Sequence, residues 1–220
     1  MEKSKLIVEG ISDEYLFKQL CQKNGFHNVE IEVDTPSAFG GRDTKQGVLN
    51  ILQVVIKQLE NSYIDRLGII VDSDYEANGG GVENTLRQIH EKIKDHGYPA
   101  SYKRFSNSGI YFEGDSDLPK LGVWVMPNNI DEGMLEDWML SICHPNEQSF
   151  LNLIATQVKA IPSPKFKKIH EAKAISNTWL AWQKKPGLGF ANLFREGLID
   201  EEHKNYKDWL DWMNEIFINK

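Results

Sequence analysis

Leu6-Ile7-Val8-Glu9-Gly10-Ile11-Ser12-Asp13 and, further along, Ile69-Ile70-Val71-Asp72-Ser73-Asp74 decide how this chain folds. Each is a short apolar, β-branched run closed by an acid, the pattern of a buried parallel strand that ends at a loop. After the first, Ser12 is placed to cap a helix, in which Tyr15, Leu16, Leu20 and Cys21 fall at helical spacing and Asn24-Gly25 supplies the stop. Val29, Ile31 and Val33 then alternate with acids as a half-exposed strand, followed by a Gly40-Gly41-Arg42 turn. A helix is expected over 47–60 and another over 82–96, on either side of the strand that stops at Asp72.

Working outward, Leu121-Gly122-Val123-Trp124-Val125-Met126 reads as a further core strand and 134–143 as the helix after it. Residues 98–120 are irregular and read as a hairpin or an insertion loop. From Asn146 onward the pattern is helical only, and all six tryptophans follow residue 123. The pairs Trp179/Trp182 and Trp209/Trp212 sit three residues apart, the spacing of a core stripe. The expected architecture is α/β, a mainly parallel sheet flanked by helices over 1–144, with a helical subdomain over 145–220 packed on it.

Composition narrows the function. With 220 residues, 40% hydrophobic and 26% charged, the chain can bury a sizeable core. Its net charge of −7 argues against a uniformly basic nucleic-acid coat. Cys21 and Cys143 lack CxxC partners and the histidines lack HxxxH pairing, so neither a zinc site nor a disulfide framework is indicated. A cytoplasmic location is expected, with no signal-peptide core and no membrane span.

Acids gather where strands end: Glu9 with Asp13, Asp72 with Asp74, and Glu136 with Asp137. Ligands of open α/β sheets bind beyond the carboxyl ends of strands. In a DxD segment, side chains at i and i+2 share a face, and two hard oxygen donors suit Mg2+ or Mn2+. The alternative for each pair is a solvated loop edge or a helix cap, and Asp13 suits the latter role. Glu9 together with Asp72 and Asp74 favours a metal site. Leu135, Trp138 and Met139 make the 134–143 helix amphipathic, so one of Glu136 and Asp137 is expected to face solvent.

Charge distribution gives a second signal. Residues 159–185 carry seven lysines, among them Lys165, Lys167, Lys168 and Lys173, against one acid, Glu171, a net +6 window. It is either a phosphate-binding face or a solvated helix surface. Arg42 and Lys45, after Gly40-Gly41, are further candidates to cradle a phosphate.

The hydrophobics-Glu-Gly run at 6–10 followed by hydrophobics-DxD at 69–74 resembles the Toprim domain of topoisomerases, DnaG-type primases and OLD-family nucleases. Met126-Pro127-Asn128-Asn129 and Gly133-Met134-Leu135-Glu136-Asp137 are further similar to a small family of stand-alone bacterial Toprim-like proteins of unknown function. The resemblance covers roughly residues 4–140 and implies a Toprim-like Rossmannoid fold. It further implies that Glu9 is an acid/base or metal carboxylate and that Asp72 and Asp74 hold Mg2+ (or Mn2+) against a phosphodiester, with Asp13, Glu136 and Asp137 as additional ligands. The expected function is nuclease- or nickase-like, on nucleic acid and on DNA before RNA.

Topoisomerase and processive primase roles need domains for which this chain has no room. A GxxxxGK[ST] motif is missing, so any ATPase control would come from a partner protein. A homodimer is compatible with the sequence. Two alternatives stand beside the nuclease: a non-catalytic Toprim-like binding or regulatory subunit, and, less favoured, a DxD phosphatase with Asp72 as nucleophile, disfavoured because two strands precede its DxD.

Overall fold

The computed structural model describes residues 3–33, 45–115 and 117–219. Arg42 and the Gly40-Gly41 turn lie outside the described residues. Six strands form one sheet in the order β2-β1-β3-β6-β5-β4. In chain order they are β1 (Ser4–Val8), β2 (Val29–Val33), β3 (Arg66–Asp72), β4 (Lys103–Arg104), β5 (Ile110–Phe112) and β6 (Leu121–Met126). The β2, β1, β3 and β6 strands run parallel, while β5 and β4 form an antiparallel extension. The irregular 98–120 stretch therefore resolves into a hairpin added to the sheet edge.

Seven α-helices are described: α1 (Ile11–Lys23), α2 (Lys45–Glu60), α3 (Val82–Ile93), α4 (Leu135–Ser141), α5 (Gln148–Lys159), α6 (Glu171–Ala181) and α7 (Lys204–Phe217). The α1 helix begins two residues earlier than the Ser12 cap predicts. Gly10 is the capping position, in extended backbone, and its N–H donates to Asp13 Oδ2 at 3.0 Å. The third helical residue, rather than the serine, therefore satisfies the helix start.

Alternation along the strands divides the core between two faces. Leu6, Val8, Ile70, Trp124 and Met126 pack with α1 and the C-terminal helices. Ile7, Ile69, Val71, Val123 and Val125 pack with α2 and α3. The C-terminal helices thus complete one face of the sheet rather than enclosing a core of their own. Gly68 and Gly122 are paired in register on β3 and β6. A Cβ on Gly122 would lie 2.5 Å from Ile216 Cγ1, and one on Gly68 2.8 Å from Phe217 Cζ. These two glycines make the trough into which α7 settles.

Five tryptophans are fully buried: Trp124, Trp138, Trp179, Trp209 and Trp212. The expected Trp179/Trp182 core stripe is corrected: Trp182 is 52% exposed and lies against Phe150 instead. The α6 helix ends at Ala181, so Trp182 falls at its C-cap, past the buried stripe. Tyr15 likewise lies outside the core, and Phe17 is buried in α1 instead.

Candidate functional site

The β1 strand pairs with β2 on one side and β3 on the other. The α1 connection covers one face and α2 the opposite face. Strand order therefore reverses between β1 and β3, and the crevice beyond their carboxyl ends is the topological switch point where such sheets bind ligands. Glu9 follows β1 directly and Asp72 is the last residue of β3.

A cleft of about 480 Å3 opens there, and Glu9, Asp13, Asp72 and Glu136 line it. Glu9 Oε1 accepts the Asp72 N–H at 2.8 Å, and Asp72 Oδ1 accepts the Leu135 N–H at 2.9 Å. The two carboxylates are thus held in a chain from β1 through β3 to the start of α4. Glu9 Oε2 and Asp72 Oδ2 accept no hydrogen bond among the described residues.

Burial governs the protonation of this pair. Desolvation raises the Glu9 carboxyl from its ordinary range to about 7, opposed by the Asp72 N–H and by Lys45, and reinforced by Asp74 and Asp13. Asp72 is raised well above the usual carboxylate range, first by desolvation and then by the charges of Glu9, Asp13, Glu136 and Asp74. Glu136 is only 8% exposed, with Oε1 3.4 Å from Lys173 Nζ at the rim.

Asp74 departs from the shared-face geometry of a DxD. The strand ends at Asp72, and Asp74 adopts a left-handed φ of 59° while its backbone exchanges two hydrogen bonds with Gly133. Its Oδ2 lies 2.7 Å from Lys45 Nζ, beside a second cleft lined by Lys45, Asp74 and Tyr75. The i, i+2 rule applies within a strand and lapses once the chain turns. Asp74 therefore acts on Glu9 and Asp72 through its charge.

Asp137 is fastened elsewhere. Its Oδ2 accepts the Met134 N–H at 2.8 Å and the Tyr75 hydroxyl at 3.2 Å, which makes it the cap of α4. Of the adjacent acids, Glu136 faces the cleft. Lys45 donates to Ser73 O and Thr85 Oγ1 as well as pairing with Asp74. It neutralises the acid cluster from behind. Lys165, Lys167 and Lys168 are exposed, Lys168 paired with Glu171, and Lys173 alone of the lysine window lines the cleft.

Sequence reasoning missed Ser73. Fully buried, its Oγ accepts the Gly133 N–H at 2.7 Å and donates to Gly133 O at 3.0 Å, which ties the end of β3 to the entry of α4. Its only signal was a small hydroxyl between two acids. The aromatic side of the cleft, Tyr15 and Phe190, was also missed, because it comes from segments far apart in the chain.

A family model described as protein of unknown function, DUF3226, matches residues 3–218. The chain belongs to this DUF3226 family. The match spans the sheet and the C-terminal helices together, in keeping with the core they share. No curated protein and no solved structure matches this DUF3226 chain.

The donors in the cleft are carboxylate oxygens, the chemistry that hard divalent cations prefer. Among the described residues no group of three His, Cys, Asp or Glu side chains is gathered to hold an ion. That excludes a preformed protein cage from those residues. Two carboxylates, Glu9 and Asp72, are a number through which Mg2+ binds when water and substrate phosphate complete its shell.

Proposed function

We propose that this protein carries out Mg2+- or Mn2+-dependent phosphodiester chemistry of Toprim type on nucleic acid, with Glu9 and Asp72 as the carboxylates that hold the cation. One observation carries the reading: two acids from adjacent parallel strands, locked to each other at the switch point of the sheet, each with one carboxylate oxygen that accepts no hydrogen bond among the described residues. When bound, the cation would neutralise charge developing on the phosphoryl group and polarise a water.

The chain's own residues divide the remaining work. The Asp72 N–H fixes Glu9 through Oε1 and leaves Oε2 for the cation. The Leu135 N–H fixes Asp72, so its orientation needs no rearrangement when a ligand arrives. Lys173 at the rim and the exposed lysines at 165, 167 and 168 supply positive charge for the phosphate backbone. Control by an ATPase partner belongs to the same proposal.

The second reading is a non-catalytic binding or regulatory subunit that keeps the same carboxylates. The phosphatase alternative has less support, because Asp74 engages Lys45 rather than standing beside Asp72 as a general acid. Cleavage of single-stranded and plasmid DNA with Mn2+, for wild type, Glu9→Gln and Asp72→Asn, with and without a genetically adjacent ATPase, separates these readings. Cleavage lost in both variants supports the enzyme. Cation binding without cleavage under any condition supports the regulatory subunit, and cleavage that survives Asp72→Asn removes this site from the account.

A further inference from the structure

The cleft has two unlike sets of lining residues. Glu9, Asp13, Asp72 and Glu136 are acidic. Beside them are Tyr15 from α1, Leu180 and Asn177 from α6, and Leu188 and Phe190 from the segment after it. Phe190 opens a single 3-10 turn, Phe190–Asn192, that packs on α1. Folding alone leaves Tyr15 unexplained. It is 62% exposed, a large aromatic side chain at the mouth of an acidic cleft, while the neighbouring Leu16 and Phe17 are completely buried.

A phosphate bridged to the acidic residues by the cation leaves the rest of its molecule to meet the aromatic residues, so the fitting ligand is an anion joined to a flat, weakly polar group. A nucleotide has that form, and aromatic side chains stack on any base because every base offers a π-face. The cleft volume of about 480 Å3 suits a single nucleotide unit. In a duplex the bases are stacked and paired, and their faces are not available to a side wall. Asn177, one turn beyond Lys173 on α6, presents an amide with no hydrogen-bond partner among the described residues and can meet a base edge.

We propose that Tyr15 and Phe190 form a stacking wall for an unpaired nucleobase whose phosphate lies at the Glu9–Asp72 end of the cleft, so that the ligand is single-stranded rather than duplex. The inference rests on the phosphodiester reading above and names its substrate class. The C-terminal part of the chain thereby acquires a role beyond covering the sheet: α6 and the segment after it line part of the binding cleft.

The test is fluorescence anisotropy with a short labelled oligothymidylate and a duplex of equal length, in Ca2+, for wild type, Tyr15→Ala, Phe190→Ala and Tyr15→Trp. Wild type is expected to bind the single strand at least roughly 10-fold tighter than the duplex. Each alanine variant should weaken single-strand binding roughly 5- to 150-fold, the range for loss of one stacked base, and Tyr15→Trp should keep wild-type affinity. Competition by thymidine monophosphate at comparable affinity would identify a free nucleotide as the ligand and overturn the strand assignment; competition by strands alone supports it. Alanine variants that fold normally by circular dichroism and bind as wild type overturn the stacking wall, as does equal affinity for duplex. Failure of the phosphodiester reading shows separately, as unchanged Mn2+ binding in Asp72→Asn, since the anisotropy comparison concerns Tyr15 and Phe190 only.

Discussion

Glu9 Oε1 accepts the backbone N–H of Asp72 at 2.8 Å, so the acid that follows β1 is anchored by the residue that ends β3. The bond forces two carboxylates into one desolvated corner. Most consequences of the site follow from that confinement.

Stability should fall as pH rises. The Glu9 carboxyl lies near 7 in the folded chain against an ordinary value of 4.5, so between these values the native state binds more protons than the unfolded one. The folded state is therefore favoured by acid and loses up to about 3 kcal/mol from Glu9 as pH climbs from about 4.5 to 7. Asp72, shifted the same way, adds to the slope. Urea midpoints measured in EDTA between pH 5 and 8 should fall for wild type and flatten in Glu9→Gln. A wild-type slope that Glu9→Gln leaves unchanged removes Glu9 as its source.

The trough under α7 is equally exposed to test. Gly122→Val introduces a Cβ that would stand 2.5 Å from Ile216 Cγ1, with two further methyl groups beyond it, in a closely packed layer. The expected cost is about 2–3 kcal/mol or more, read as a lower urea midpoint. A midpoint equal to that of wild type would mean that α7 does not seat on this pair of strands.

Asp137→Asn separates capping from chemistry. The Asp137 carboxylate accepts the Met134 N–H and the Tyr75 hydroxyl, but burial raises its pKa and an amide keeps one acceptor oxygen, so the variant should stay within about 1 kcal/mol of wild type in stability. Cation affinity should change far less than in Asp72→Asn. A larger loss of Mn2+ binding in Asp137→Asn than in Asp72→Asn would reverse the roles assigned to the two acids.

The lysine window predicts salt dependence. If the exposed lysines at 165, 167, 168 and 173 meet phosphates, the log–log slope of affinity against salt should be near −0.7 for each phosphate neutralised on single strands. Replacing Lys165 and Lys167 with Gln should make the slope shallower by about 1.4. Binding that is insensitive to salt returns these residues to a solvated surface.

What was legible in the sequence follows from periodicity. The runs at 6–8, 69–71 and 121–126 alternate between two buried faces, and the acids of the first two stand at strand ends because a charged residue terminates an apolar run there. Asp72 and Glu9 were therefore placed correctly beside one another by register alone. Asp74 was not, since its direction depends on a left-handed turn that pairs it with Gly133. The roles of Glu136 and Asp137 were also hidden: adjacent helical residues point about a hundred degrees apart, and only the cap at Met134 decides which one turns inward. The aromatic wall and the α7 trough depend on contacts across most of the chain, although glycines inside the β3 and β6 runs did mark a close approach.

The most direct measurement is Mn2+ binding by isothermal titration at pH 7.5 for wild type, Glu9→Gln and Asp72→Asn. Wild type should bind the ion with release of protons, since the raised Glu9 and Asp72 carboxyls must ionise to serve as ligands. Each variant should bind at least roughly 10-fold more weakly, with fewer protons released. Equal affinity in all three proteins, or no binding by wild type, would contradict the assignment of this cleft as a cation site.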